Sequence, residues 1–315
     1  MAEKEKVIVI CGPTASGKTS LSIELAKKIN GEIVSADSMQ IYKDMTIGTA
    51  KPTTEEMQGI KHYLIDCVLP TERYSVASYQ KDALSAIDKI IKDGKVPIIV
   101  GGTGLYVNSL IYGIKYDEVE VDLNYRAELE KIAEQQGLDT LYNMAMKIDS
   151  EAMQKISSND KKRICRVLEI YHSTGKTKTE LEIESRKKGP KYNYIVYGIN
   201  MNREKLYDRI NRRVDIMLND GLINEVKEIL KKYDEFPTAM QGLGYKEVVE
   251  YLNGDTTKEE MIEKLKMETR RYAKRQLTWF RANKEITWID GLDNVQNNIE
   301  IILKGYYEKW KITQK

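Results

Sequence analysis

Eight residues near the start of the chain, Gly12, Pro13, Thr14, Ala15, Ser16, Gly17, Lys18 and Thr19, restrict its fold more than any other feature. They match G-x-x-x-x-G-K-[ST], follow the apolar run VIVICG, and precede helix-like spacing over residues 19–29. That strand–loop–helix setting gives the pattern physical meaning. The loop's N–H groups can surround phosphate oxygens at a positive helix end, Lys18 can neutralise a terminal phosphate, and the Thr19 hydroxyl can ligate a magnesium ion. Gly17 allows close approach. The loop grips a pyrophosphate unit without revealing what hangs from it, so kinases, GTPases and transferases that release pyrophosphate all stay open.

The rest of the first third alternates strand and helix: EIVSAD, helical spacing over 75–92, then VPIIVGG. This alternation predicts an α/β fold, a P-loop NTPase-like parallel sheet with helices on both faces. The runs at 7–10 and 98–100 are apolar without a period of two, as strands covered on both sides should be. Ligands of such sheets collect beyond the carboxyl ends of the strands. Over 116–191 strand runs disappear and helical periodicity takes over, which predicts an all-helical insertion between core segments 1–115 and 192–315. Within it Ile164, Val167, Leu168 and Tyr171 share a predicted core face, while Lys162, Arg163 and Arg166 lie largely off it. YIVYGIN resumes the sheet, a polar helix covers 203–219, and ITWID is the expected last strand.

No apolar run approaches the ~20 residues that cross a bilayer, so a soluble protein without membrane contact is expected. The charged start leads into a first strand rather than a signal peptide. Cys11, Cys67 and Cys165 are too scattered for a disulfide framework or zinc pair, which suits a reducing cytoplasm. A reactive thiol at Cys11 is conceivable beside the phosphate loop, but a small buried residue is the expected role. His62 and His172 have no triad or ligand pattern around them and are read as surface or packing residues. The formal net charge of +2 decides nothing about a nucleic-acid partner. Clustering does, and residues 267–284 gather Arg270, Arg271, Lys274, Arg275, Arg281 and Lys284 with one acid, Glu268.

Further blocks recur along the chain: SADSMQIYKDMTIGTAKPT at 35–53, VGGTGLY at 100–106, NDKKRICR at 159–166 and KRQLTW at 274–279. With GPTASGKT they resemble the tRNA dimethylallyltransferase family nearly end to end. The absence of a cysteine pair, and so of a C-terminal zinc finger, makes the resemblance one to the bacterial type. It implies attack by an adenine N6 amine on the allylic carbon of dimethylallyl pyrophosphate, within a tRNA anticodon stem-loop and immediately 3′ of the anticodon. The acting unit is expected to be a monomer and Mg²⁺ the cofactor.

The resemblance also implies roles. Thr103 and Arg213 would contact the pyrophosphate, as a hydroxyl donor and as a forked cation. Asp37 would accept the N6 proton, although an Asp-Ser pair equally suits a magnesium ligand or a helix cap. An adenine stacked in a loop must be extruded to react. Asp37, Ser38, Met39 and Gln40 would then hold the base, with Thr103 nearby. Lys162, Arg163, Ile164, Cys165 and Arg166, together with Gln241, Gly242, Leu243, Gly244, Tyr245 and Lys246, match family segments that contact tRNA; Arg126 aligns as another contact. For the basic helices the plain alternative is a solvated face, for QGLGYK a turn, and for at least one of Trp279 and Phe280 ordinary core. Three rivals remain: an adenylate isopentenyltransferase acting on a free nucleotide, a P-loop kinase of a small molecule, and a non-catalytic RNA-binding protein with a nucleotide switch.

Overall fold

The computed structural model describes residues 4–114, 116, 122–187 and 189–311. Two compact units emerge, one of residues 1–111 and 192–315 and one of residues 112–191. Residue 115, at the expected end of the first core segment, and residues 117–121 and 188 of the expected insertion lie outside the described residues.

The first unit is built on a six-stranded sheet in the order β3-β2-β4-β1-β5-β6. Its strands are β1 (Lys6–Cys11), β2 (Gly31–Ser35), β3 (His62–Tyr63), β4 (Val96–Gly101), β5 (Asn193–Asn200) and β6 (Thr287–Asp290), and every pairing is parallel. The expected strands are present, in the expected α/β class. The addition is β3, whose two residues are too few to show periodicity.

Helices α1 (Lys18–Ile29), α2 (Thr54–Met57), α3 (Val76–Lys92) and α4 (Gly104–Ile111) connect the first strands. Strand β1 shows why both faces need cover. Val7, Val9 and Cys11 pack in one cluster with Tyr79, Ala83, Ile87 and Ile90 of α3 and Val107 and Leu110 of α4, while Ile8 and Ile10 pack in another with Leu21 and Leu25 of α1. Each such side chain contributes about 1.5–3 kcal/mol on burial, which explains a strand with no polar alternation. Ser75 caps α3 by accepting from the Ser78 N–H, fixing where that helix starts.

The second unit is helical: α5 (Leu123–Gln136), α6 (Leu138–Ile148), α7 (Ser150–Met153), α8 (Lys161–Thr174) and α9 (Lys178–Arg186). Leu129, Leu141, Ala145, Met153, Ile164, Val167 and Leu168 form its core. Tyr171 departs from the expected core face: it is 42% exposed, because the last turn of α8 carries the stripe past this cluster.

Returning to the first unit, α10 (Arg203–Asn219), α11 (Leu222–Lys232), α12 (Tyr245–Leu252), the long α13 (Lys258–Arg281) and α14 (Val295–Lys311) complete the chain. Helices α11, α12 and α13 enclose a third cluster with Ile41, Tyr42 and Met45, which precede the IGTAKP block. Phe280 is core and Trp279 is 42% exposed, so one of that pair is ordinary packing as expected. No described helix is long and apolar enough to cross a membrane.

Candidate active site

The phosphate loop takes its shape from two left-handed residues, Ala15 at φ 61° and Gly17 at φ 90°. Successive amides in such a turn face one concavity, which suits an anion. Gly17 is thus required for its dihedral, since a side chain there would be strained. The loop borders a cleft of about 380 Å³ lined also by Glu24, Glu56, Arg209 and Arg213. Ser16 lines it too, and its buried hydroxyl has no hydrogen-bond partner. Such an orphan is what a loop awaiting phosphate oxygens should show. Burial pushes the Cys11 thiol up to about 12, so it is an inert core residue and not a reactive one.

Lys18 folds back onto its own loop, donating to the Pro13 carbonyl at 2.5 Å. Burial of its amine, then the Arg213 guanidinium, pulls its pKa down to about 8, against the opposing pull of Asp37. The folded pKa lies below the usual lysine value, so charging this amine opposes folding: the cost is full below about pH 8 and fades as pH rises from there to the ordinary lysine value of 10.5. For an anionic ligand the sign reverses: the cation that attracts it is lost above pH 8. Inorganic pyrophosphate affinity should accordingly lose about tenfold more between pH 7 and pH 9 in the wild type than in Lys18→Met. Parallel calorimetric profiles for the two proteins would reject this.

Across the carboxyl ends of β2 and β4 the turn residues lock together. The Asp37 Oδ1 atom accepts from the Met39 N–H at 2.9 Å and the Gln40 N–H at 3.3 Å. Thr103 Oγ1 accepts from the Ser38 N–H at 3.0 Å and donates to the Ser38 hydroxyl at 3.2 Å. Asp37 is therefore both a turn cap through one oxygen and a half-buried carboxylate whose charge is felt by Lys18 and Arg213. Arg213 reaches Thr14 Oγ1 at 3.3 Å and the Ala50 carbonyl at 3.4 Å. Burial holds it below the usual arginine value, with Asp37 and Glu56 opposing. The structure thus brings Lys18, Asp37, Thr103 and Arg213 to one end of the sheet from four stretches of sequence.

Two residues of this region receive no role from the sequence. Glu225 on α11 accepts from the N–H groups of Thr46 at 3.0 Å, Ile47 at 2.7 Å and Gly48 at 3.1 Å, and from the Tyr245 hydroxyl at 2.6 Å. It fixes the segment that presents Ala50 to Arg213. Gln276 on α13 bonds the Thr14 N–H and the Gly102 carbonyl. The sequence shows it only as part of KRQLTW.

Several expected tRNA contacts find other occupations. Tyr245 is fully buried and spends its hydroxyl on Glu225, and Gly242 and Gly244 are buried in the turn before α12. Gln241 and Lys246 are exposed and Leu243 half-buried, so only part of QGLGYK offers side chains to a partner. In the helical unit Ile164 and Cys165 pack in the core and cannot act through their side chains. Arg126 grips the buried Glu169 with two bonds of 2.7 and 3.0 Å, and Arg166 meets the same carboxylate at 3.5 Å. Lys162 and Arg163 stay exposed. His62 bonds the Ile60 carbonyl at the sheet edge and His172 stacks on Tyr125, both packing roles.

Magnesium fits this donor set. No group of three or more His, Cys, Asp or Glu among the described residues could hold a metal, and Mg²⁺ beside phosphates needs few protein oxygens. The exposed Thr19 hydroxyl at the cleft is the one that would hold it.

The IPP transferase family model matches residues 40–283. The tRNA dimethylallyltransferase of Acetivibrio thermocellus is 53% identical over 287 residues, covering 91% of this chain and 92% of that protein. Its counterpart in Halothermothrix orenii is 51% identical over 289 residues, 91% and 88% of the two chains. Among solved structures, the full-length tRNA isopentenylpyrophosphate transferase of Bacillus halodurans is 43% identical, with a TM-score of 0.74, and the match covers 99% of this chain and 100% of that one. A eukaryotic dimethylallyltransferase acting on tRNA is 33% identical with a TM-score of 0.81, over 96% of this chain and 80% of its own.

Proposed function

The chain belongs to the IPP transferase family, and from that premise we propose how its own residues prenylate tRNA. It transfers a dimethylallyl group from dimethylallyl pyrophosphate to N6 of the adenosine immediately 3′ of the anticodon and releases pyrophosphate. The observation that carries the mechanism is the convergence at one end of the sheet of a phosphate loop with an unpartnered Ser16 hydroxyl, the Arg213 side chain bonded to Thr14, and the Asp37 turn locked by Thr103.

The pyrophosphate lies in the concavity of the loop. Lys18 exchanges the Pro13 carbonyl for a phosphate oxygen, the Ser16 hydroxyl gains the partner it lacks, and Arg213 faces the anion from α10. Magnesium, held by Thr19, supplies further positive charge when bound. Once Lys18 has made that exchange on donor binding, the loop amides, Lys18 and Arg213 face the departing group, and the charge that grows on it is stabilised without further reorganisation. The N6 lone pair forms a bond to the allylic carbon as the carbon–oxygen bond breaks and its electron pair leaves with pyrophosphate. Asp37 takes the N6 proton through the oxygen not engaged by the 38–40 turn. Thr103 keeps that turn in register and adds a hydroxyl beside it.

The acceptor is RNA rather than a free nucleotide. Helix α8 carries Lys161, Lys162 and Arg163 in its first turn, where the helix end is already positive and cations oppose stability. An arrangement that costs the fold something fits an external polyanion. Lys274 and Arg275 stand exposed on α13. We further propose that the acting unit is a monomer, working in the cytoplasm where tRNA is modified.

The test incubates the purified protein with Mg²⁺, labelled dimethylallyl pyrophosphate and either unmodified tRNA or AMP, followed by nucleoside analysis. Label on tRNA adenosine is expected. Label on AMP alone would make the protein a nucleotide-prenylating enzyme, and no label on either would refute prenyl transfer.

A further inference from the structure

Helix α13 buries Met261, Leu265, Thr269, Ala273, Gln276 and Phe280 along one stripe. Position 276 falls where the helical period asks for an apolar residue, and it holds a glutamine that is 6% exposed. A buried amide is tolerated only when both its ends are bonded, and both are. The Thr14 N–H donates to Gln276 Oε1 at 2.9 Å, and Gln276 Nε2 donates to the Gly102 carbonyl at 2.9 Å. The partners fix the orientation of the amide, since the N–H can meet only its oxygen and the carbonyl only its nitrogen.

These partners belong to the two turns that handle the substrates. Thr14 leads the phosphate loop and also binds Arg213, and Gly102 immediately precedes Thr103, whose hydroxyl orders the Asp37 turn. One helical turn earlier on α13, Tyr272 lies beside both Thr103 and Gln276. A Cβ on Gly102 would stand 2.2 Å from Gln276 Nε2, so a side chain there must displace the amide.

On the reading that the site transfers a prenyl group, we propose that Gln276 is a positioning residue. Its amide sets the spacing between the pyrophosphate loop and the Asp37–Thr103 turn, and so the distance over which the prenyl group passes to the amine. It also occupies the Thr14 amide, which leaves the pyrophosphate to the amides nearer α1.

The experiment compares wild type, Gln276→Met and Gly102→Ala in the full chain with Mg²⁺, dimethylallyl pyrophosphate and tRNA. Methionine keeps the length and packing of the side chain and removes both bonds, whereas the alanine displaces the amide with Gln276 intact. Misplacing a bound group by an ångström costs about a hundredfold. Each variant should lose about ten- to a hundredfold in kcat/KM for the pyrophosphate donor, normalised to folded protein, with tRNA Kd within twofold of wild type. Donor kinetics within twofold of wild type in Gln276→Met would overturn the proposal, as would a loss confined to Tm or shared equally by tRNA affinity. Failure of the wild type to transfer would instead strike the prenyl-transfer reading, so the two failures are distinguishable.

Discussion

Asp37→Asn should lower kcat by about 10²–10⁴-fold and leave Tm, tRNA affinity and donor KM close to wild type. The asparagine amide oxygen can accept the same two N–H bonds that Asp37 Oδ1 accepts from Met39 and Gln40, so the turn survives. The basicity and the negative charge are lost. Losing the charge also removes the pull that holds the Lys18 pKa up, so donor KM is compared at about pH 6, where that amine stays protonated in both proteins. Asp37→Ala removes the cap as well and should in addition lose about 1 kcal/mol of stability. Single-turnover transfer and thermal unfolding of both variants decide the matter. An active Asp37→Asn beside an inactive Asp37→Ala would make the residue a cap and send the search for the base elsewhere.

The second large effect is expected at a residue remote from the chemistry. Glu225→Ala should cost roughly 1–3 kcal/mol of stability, as leaving half-buried donors without their acceptor does, and most of the activity of what remains folded. One carboxylate satisfies three consecutive backbone N–H groups and the hydroxyl of the buried Tyr245. Without it, four donors lose their acceptor and the segment carrying the Ala50 carbonyl is released from its bond to Arg213. Urea denaturation measures the first part. A midpoint unchanged from wild type would mean that neighbouring groups replace the carboxylate.

How much of this was legible in the sequence follows from the distances along the chain over which each feature is set. The phosphate loop and strands such as β1 are local, each announced by adjacent residues that can serve one purpose. The family resemblance points to Asp37, Thr103 and Arg213, and the structure brings the three to one end of the sheet. Glu225 lies in none of the family's blocks, and Gln276 lies in one that gives it no role. Glu225 meets Gly48 across 177 positions and Gln276 meets Thr14 across 262, and a glutamate on a helix or a glutamine in a basic segment looks like any solvated residue until its partner is known. Tyr245 illustrates the converse, since a motif match drew it into the tRNA contacts when packing had claimed it. Periodicity misplaced Tyr171 because a stripe continues along a helix whether or not anything covers its last turn.

The order of the strands bears on how the chain is made. The centre of the sheet is β1, whose neighbours are β4 and β5, and β5 pairs Val7 with Tyr194 and Ile10 with Tyr197. The helical unit of residues 112–191 is synthesised between them. At about 5–20 residues per second, a ribosome needs on the order of ten seconds to produce it, and during that time β1 has one bare edge built of Val and Ile. The two ends of the unit meet, since a Cβ at Gly113 would stand 2.5 Å from the Gly189 carbonyl. The unit can therefore fold in the interval and close its own loop, delivering β5 to the waiting edge. The interval in which β1 lacks its second neighbour thus falls within translation, before β5 has emerged.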